Sequence, residues 1–282
     1  MADTSYVVDD VESAILQKIT LPLNHCSVPP KVFASTAYQQ WPIPLNIDGI
    51  HPWFTKPLET IGAPQDWHER VLAFETFMQR HFQLPDKKQK HDEGRDPVPR
   101  PKVNYRRLIL GWLFDSDSAQ GAALRSWVES RFGLVTLYHG QQIRDLDSAE
   151  YHAFRQQSAN ATYNTNELDT QLDLLYTFCQ QELAKRFCSH EHLTLYRGCA
   201  DKDELFIHGQ RIKLFNNLSS FSADPESALR FGSQLYAVEV PLSKIIYFES
   251  LLPRSLQGEQ EYLVLGGLYQ VSKPNLLSLP VG

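Results

Sequence analysis

Gly258-Glu259-Gln260-Glu261-Tyr262-Leu263-Val264-Leu265-Gly266-Gly267 sets two carboxylates immediately ahead of an apolar run. The run is short and rich in leucine, valine and tyrosine, which predicts a strand beginning near Tyr262. Side chains alternate along a strand, so Glu259 and Glu261 project to the same face. Two acids on one face can serve a developing cation and a proton together. Glu-x-Glu pairs are also common on exposed strands, so the weight of this pair depends on what precedes it.

Working backwards, the residues after Ser189 form short strand-like runs at 193–197, 214–221, 235–240, 244–248 and 262–271. One helix interrupts them, with Asp224 as N-cap, Pro225 at the first helical position and Gly232 after the end. The residues before Ser189 read as helical. A helix is predicted over 67–82, capped by Asp66 with Glu69 three residues on and carrying the stripe Trp67, Val71, Phe74, Met78 and Phe82. Leu124, Trp127, Val128, Arg131 and Phe132 mark another, closed by Gly133. Ser148 caps a short helix near 150–157. The strongest helical pattern is 167–187, with Asn164 and Glu167 as a capping pair and Leu168, Leu172, Leu175, Cys179, Leu183 and Phe187 on its buried face. Helices first and strands afterwards argue an α+β fold, not alternating βαβ units.

The first 60 residues hold seven prolines between Pro22 and Pro57 among Tyr38, Trp41, Trp53 and Phe54, which predicts an irregular packed segment with at most short helices. Residues 86–102 are polar and end in Asp-Pro-Val-Pro-Arg-Pro, the pattern of an exposed loop. The expected division is an irregular and helical region at 1–104 followed by a catalytic core at 105–282, the two forming either separate units or one compact body.

Composition narrows the function classes. With 42% hydrophobic and 21% charged residues, the chain has the make-up of a globular protein. A net charge of −6 argues against a phosphate-backbone footprint, so no nucleic-acid partner is expected. The acidic start lacks the basic end and apolar run of a signal peptide, and the apolar run at 108–114 falls far short of the about 20 residues that span a bilayer, so a cytoplasmic chain without a membrane anchor is expected. Four cysteines are too few for a disulfide framework in a chain this long. Cys188-Ser189-His190-Glu191-His192 has no second ligand cluster of zinc spacing, so no metal is expected. Neither a P-loop nor a dinucleotide fingerprint is present.

Two further motifs precede the glutamates. Leu195-Tyr196-Arg197-Gly198 ends a strand on an arginine, whose planar fork takes phosphate oxygens in pairs, and the glycine lets backbone approach a flat ligand. A solvated or surface-paired arginine is the plainer alternative. Leu218-Ser219-Ser220-Phe221-Ser222-Ala223-Asp224 places Ser220 and Ser222 on one face, where both hydroxyls could meet a ligand or could merely satisfy the turn before the helix.

In this order, arginine, serine pair and Glu-x-Glu resemble the Arg-Ser-Glu class of mono-ADP-ribosyltransferases. The resemblance implies a split-sheet core, mixed or antiparallel, and NAD consumed as a substrate with no tightly bound cofactor. It implies that Arg197 holds the NAD phosphates, Ser220 and Ser222 orient the nicotinamide ribose, Gly198 offers backbone to the nicotinamide amide, and Glu261 steadies the oxocarbenium-like centre. The usual Ser-Thr-Ser is here Ser220-Phe221-Ser222, a departure expected to be tolerated because the middle side chain faces away. Glu259 implies an arginine acceptor, since a protonated guanidinium needs a neighbouring base to attack. Phe231 or Phe215 could stack on nicotinamide. Leu251, Leu252, Pro253 and Arg254, on the left flank of the glutamates, are the expected target-recognition loop.

Stretches outside the motif resemble the dinitrogenase reductase ADP-ribosyltransferase family in particular. These are Asn24-His25-Cys26 through Pro30, Gly111-Trp112, Trp127-Val128-Glu129-Ser130-Arg131-Phe132-Gly133-Leu134, and Gln171-Leu172-Asp173-Leu174-Leu175-Tyr176. The resemblance implies the nitrogenase iron protein as target and a PII-family nitrogen signalling protein as regulator. The same fold acting on another bacterial protein or on water, or kept as a docking module, remains an open alternative.

Overall fold

The computed structural model describes residues 4–84, 103–163, 165–200, 203–252 and 261–274, with backbone only for 4–10. Ten helices come in chain order among these residues: α1 (Thr4–Ile19), α2 (Pro30–Ala34), α3 (Thr36–Gln40), α4 (Ile50–Gly62), α5 (Trp67–His81), α6 (Tyr105–Phe114), α7 (Ala119–Phe132), α8 (Ala149–Thr162), α9 (Leu168–Arg186) and α10 (Pro225–Leu229). The strands are β1 (Tyr138–His139), β2 (Gln141–Gln142), β3 (His192–Cys199), β4 (Leu205–Ile207), β5 (Gln210–Ser222), β6 (Gln234–Pro241), β7 (Ile245–Phe248) and β8 (Glu261–Gln270). The architecture is α+β, helical first and then a sheet.

Local chemistry explains most helix ends. Asp66 accepts from His68 N at 2.8 Å to start α5, Ser148 accepts from Tyr151 N to start α8, and Asp224 accepts from Glu226 and Ser227 N to start α10. Gly133 ends α7 in the left-handed region at φ 69°. Three expectations change. α8 runs through Thr162, past the expected short helix. Glu167 caps α9 at φ 49° without a side-chain bond, because a left-handed cap turns its carboxylate away from the amides; Asn164 lies outside the described residues. The first 60 residues also contain two full helices, α1 of 16 residues and α4 of 13. Proline density predicted against α4, but Pro52 falls in its first turn, where the missing N–H is harmless. Pro57 lies in its interior, where packing of Ile50, Leu58 and Ile61 into the core outweighs the lost bond. The 86–102 stretch lies outside the described residues.

The main sheet has six strands, ordered β6-β3-β5-β8-β7 with β4 beside β5, and every pairing is antiparallel. Its joints are unequal. β3 pairs with β6 along its whole length, and β5 pairs with β8 over nine positions, yet β3 meets β5 at the single pair Tyr196–Ser222. The sheet is split there, as the expected fold requires.

Helices cover it closely. α9 lies against β7, where Gln180 Nε2 donates to Leu242 O and Ile245 O at 3.1 and 2.7 Å. α5 joins α9 through the stacked Phe74 and Phe178 rings, 4.3 Å apart, and the buried two-point pair of Arg70 with Glu182. One hydrophobic cluster runs from Leu16 through Phe74, Phe132 and Phe178 to Leu268, taking in both the 1–104 and the 105–282 parts. Among the described residues no helix is long and apolar enough to cross a membrane.

Candidate functional site

The split between β3 and β5 opens onto a cleft of about 840 Å³, within the range of small-molecule sites. Arg197, Ser220, Phe231 and Glu261 all line it. They are far apart in sequence, and the sheet assembles them. Ser222 stands opposite Glu261 and Ser220 opposite Leu263, so the two serines and the glutamate share one face. Arg197 Nη1 donates to the backbone oxygen of Ser220, and its guanidinium carbon lies 5.7 Å from the Phe221 ring centre. Phe221 is buried and packs on Phe215, so the middle residue of the serine motif belongs to the core while it also borders the narrow end of the site beneath Arg197. A second cleft of about 820 Å³, between α7, α8 and α9, contains none of these residues.

The remaining predicted residues divide. Ser222 is buried, and its hydroxyl accepts from Asp224 N at 3.0 Å, so it builds the turn into α10 while lining the narrow end of the site with Gly198. Gly198 has a packing reason to be glycine: a Cβ there would stand 2.2 Å from Ala228 O and 2.9 Å from Gly232 N, so α10 presses on β3. Of the two phenylalanines, Phe231 is 56% exposed at the cleft, whereas Phe215 is buried and wedged between Phe221 and Tyr269 at 5.1 and 5.7 Å. Of the two rings, Phe231 is the one that offers an open face at the cleft. Leu251 and Leu252, expected on the target-recognition loop, are 0% and 4% exposed and belong to the main core. Their buried apolar side chains offer no surface to a partner. Glu259, Pro253 and Arg254 lie outside the described residues.

Several cleft residues carry no local signal. Trp112 of α6 donates from Nε1 to Ser220 Oγ at 2.9 Å. Arg125 of α7 is 4% exposed, stacks 4.5 Å over the Trp112 ring, donates to Leu218 O at 2.7 Å and lies 3.7 Å from Asp117. Burial, with Arg197 nearby adding repulsion, pushes its guanidinium down to about 10. Lys213 brings a third cation to the cleft wall, its Nζ 3.2 Å from Asp203 O. A bulge in β5 between Phe215 and Leu218 holds this arrangement in register. There Asn217 donates to Arg125 O, Leu134 O and Thr136 Oγ1, while Asn216 accepts from Leu137 N. Chemically the cleft can hold a polyanion on its guanidinium side and place a carboxylate beside a forming cation. Among the described residues no group of three or more His, Cys, Asp or Glu side chains is placed to hold a metal ion.

A split antiparallel sheet with arginine, serine and glutamate at its opening is the frame of the Arg-Ser-Glu class introduced above. Residues 23–273 match the family Dinitrogenase reductase ADP-ribosyltransferase (DRAT), and the chain belongs to that family of enzymes. It is similar to the NAD(+)--dinitrogen-reductase ADP-D-ribosyltransferase of Rhodospirillum rubrum, 34% identical over 256 residues that cover 88% of this chain and 93% of the relative. No solved structure matches it.

Proposed function

We propose that this chain transfers ADP-ribose from NAD to an arginine of dinitrogenase reductase, the nitrogenase iron protein, and thereby switches nitrogenase off. The observation that carries the reading is the meeting of Arg197, Ser220 and Glu261 at one cleft in a member of this family. Arg197 takes the NAD phosphates, Ser220 the nicotinamide ribose and Phe231 the nicotinamide face. The bond between the ribose carbon and the pyridinium nitrogen breaks, its electron pair leaves with neutral nicotinamide, and Glu261 steadies the positive sugar centre. A guanidinium nitrogen of the target forms the new bond to that carbon, and Glu259 takes the proton it sheds. The products are ADP-ribosyl-arginine, nicotinamide and a proton. NAD is consumed, and no other cofactor enters the reaction. A PII-type nitrogen signalling protein is the regulator implied by the same resemblance, and the cytoplasm is the compartment where target and NAD meet.

The test is mass spectrometry of iron protein incubated with enzyme and NAD, where one arginine gains an ADP-ribosyl group. Glu261→Gln is expected to remove both this transfer and NAD hydrolysis, by about a hundredfold or more. Glu259→Gln should abolish transfer while hydrolysis persists. Unmodified iron protein in the presence of folded, NAD-cleaving enzyme overturns the target; equal losses in the two variants overturn the division of roles.

A further inference from the structure

Trp112 has no part in the Arg-Ser-Glu motif, yet it donates a hydrogen bond to the hydroxyl of Ser220. An indole nitrogen can only donate. In the Trp112–Ser220 pair the serine oxygen is therefore the acceptor, and its own proton has to be directed elsewhere. Ser220 and Glu261 line the same cleft, so a carboxylate and a bound ligand are acceptors within that cleft toward which the proton can turn.

Trp112 is also unusually well fixed. It is 3% exposed, and the Arg125 guanidinium carbon lies over its ring, 4.5 Å from the centre. Arg125 in turn donates to Leu218 O at 2.7 Å, two residues before Ser220 on β5. The two helical side chains thus grip one strand at successive positions on its path to the cleft. Gly111 permits this closeness: a Cβ there would fall 2.5 Å from the Cβ of Gln120, so α6 and α7 could not otherwise approach as they do.

We propose that Trp112 is a positioning residue that fixes the polarity of the Ser220 hydroxyl, so that Ser220 presents its proton to the ribose oxygens of NAD and to Glu261. This rests on the NAD-dependent reading above. With the indole donor in place, Ser220 acts as a donor at the sugar; without it, the hydroxyl rotates among acceptor and donor roles and the sugar loses a fixed partner. The ring itself carries Arg125, so the polar and packing duties of Trp112 are separable. Phenylalanine keeps the second and removes the first.

The experiment is a double-substitution cycle with an independent check on the hydrogen bond. Trp112→Phe is expected to lower kcat for NAD cleavage by about tenfold or more while KM for NAD moves less than about threefold, with the melting temperature nearly unchanged. In a Ser220→Ala background, adding Trp112→Phe should cost nothing further, because the hydroxyl it orients is gone. In proton–nitrogen correlation spectra, the indole N–H signal that disappears in Trp112→Phe should move upfield in Ser220→Ala as it loses its acceptor. An active wild type with Trp112→Phe equally active overturns the assignment. So does a Trp112→Phe loss of full size in the Ser220→Ala background, or an indole signal indifferent to Ser220. A folded wild type inert toward NAD overturns instead the functional reading on which the assignment depends.

Discussion

Lys244 carries its amine into a site with no solvent exposure and, among the described residues, no carboxylate lowering the cost of its charge. Its Nζ donates to Gly266 O at 3.1 Å and lies 4.8, 5.6 and 4.5 Å from the ring centres of Phe33, Tyr38 and Tyr269. Desolvation pushes its pKa down from 10.5 to about 7. Between those values the unfolded chain holds a proton that the folded chain has released, so stability rises with pH across that window. Below pH 7 both states are protonated and the penalty is fully present, on the order of 5 kcal/mol. Lys244→Met is therefore expected to stabilise the protein at pH 6 by a few kcal/mol. Near pH 10 it should be neutral or destabilising, since the neutral amine still serves Gly266 O and the thioether cannot. Calorimetric melting at the two pH values checks this; an equal offset at both would refute it. The same contrast shows what was legible residue by residue. Arg197, Ser220 and Glu261, which line one cleft, stand out in the sequence because their order along the chain carries the signal. Trp112, Arg125 and Lys244 do not, because their roles exist only where helices meet the sheet, and no local spacing encodes that meeting.

Elements were legible where their ends are chemically marked. Asp66, Ser148, Gly133 and Asp224 each close or open a helix by a bond to the neighbouring backbone, and each was found. β3, β5, β6, β7 and β8 are legible because β-branched and aromatic runs suit a buried sheet, whereas β1, β2 and β4, only two or three residues long, leave no such run. α1 and α4 escaped because acid and proline content describe a chain's intrinsic preference, which tertiary burial of Leu16, Ile19, Ile50, Leu58 and Ile61 overrides. At this scale α10 is the element most directly tied to the site. It starts at the Asp224 cap, follows the Ser222 turn, presses Ala228 O onto Gly198 and leads into Phe231. Its position is set by a contact only glycine allows. Gly198→Ala places a methyl 2.2 Å from Ala228 O, so helix or strand has to move. The expected result is a loss of about 1–3 kcal/mol in stability with a rise of about tenfold or more in KM for NAD, because Phe231 moves with the helix. Unchanged melting and unchanged KM would mean that α10 is free to slide and does not set the nicotinamide position.

Across the whole molecule the question is whether the helical region and the sheet unfold as one. Gln39 of α3 bears on it directly. Its side-chain amide donates to Glu239 O and Gln270 O at 3.0 Å each, and its side-chain oxygen accepts from Gln270 N at 2.7 Å. One buried side chain therefore straps the N-terminal region to β6 and β8. Phe33 and Ala34 of α2 belong to the same hydrophobic cluster as Leu265 and Leu268 of β8, so the apolar contact is continuous beneath the strap. A boundary near residue 104 would have to cut through both. We infer that the chain unfolds as one body and that the site between β3 and β5 is lost with it. In urea, tryptophan fluorescence and NAD cleavage are expected to fall with a common midpoint. Gln39→Ala leaves one amide and two carbonyls of the sheet unserved in a buried place, a cost of roughly 2–4 kcal/mol. Because the bonds join the two regions, both midpoints should shift together and by the same amount. Two separated transitions, with Gln39→Ala moving only the earlier one, would instead assign residues 1–104 to an independent unit and leave the catalytic sheet standing without them.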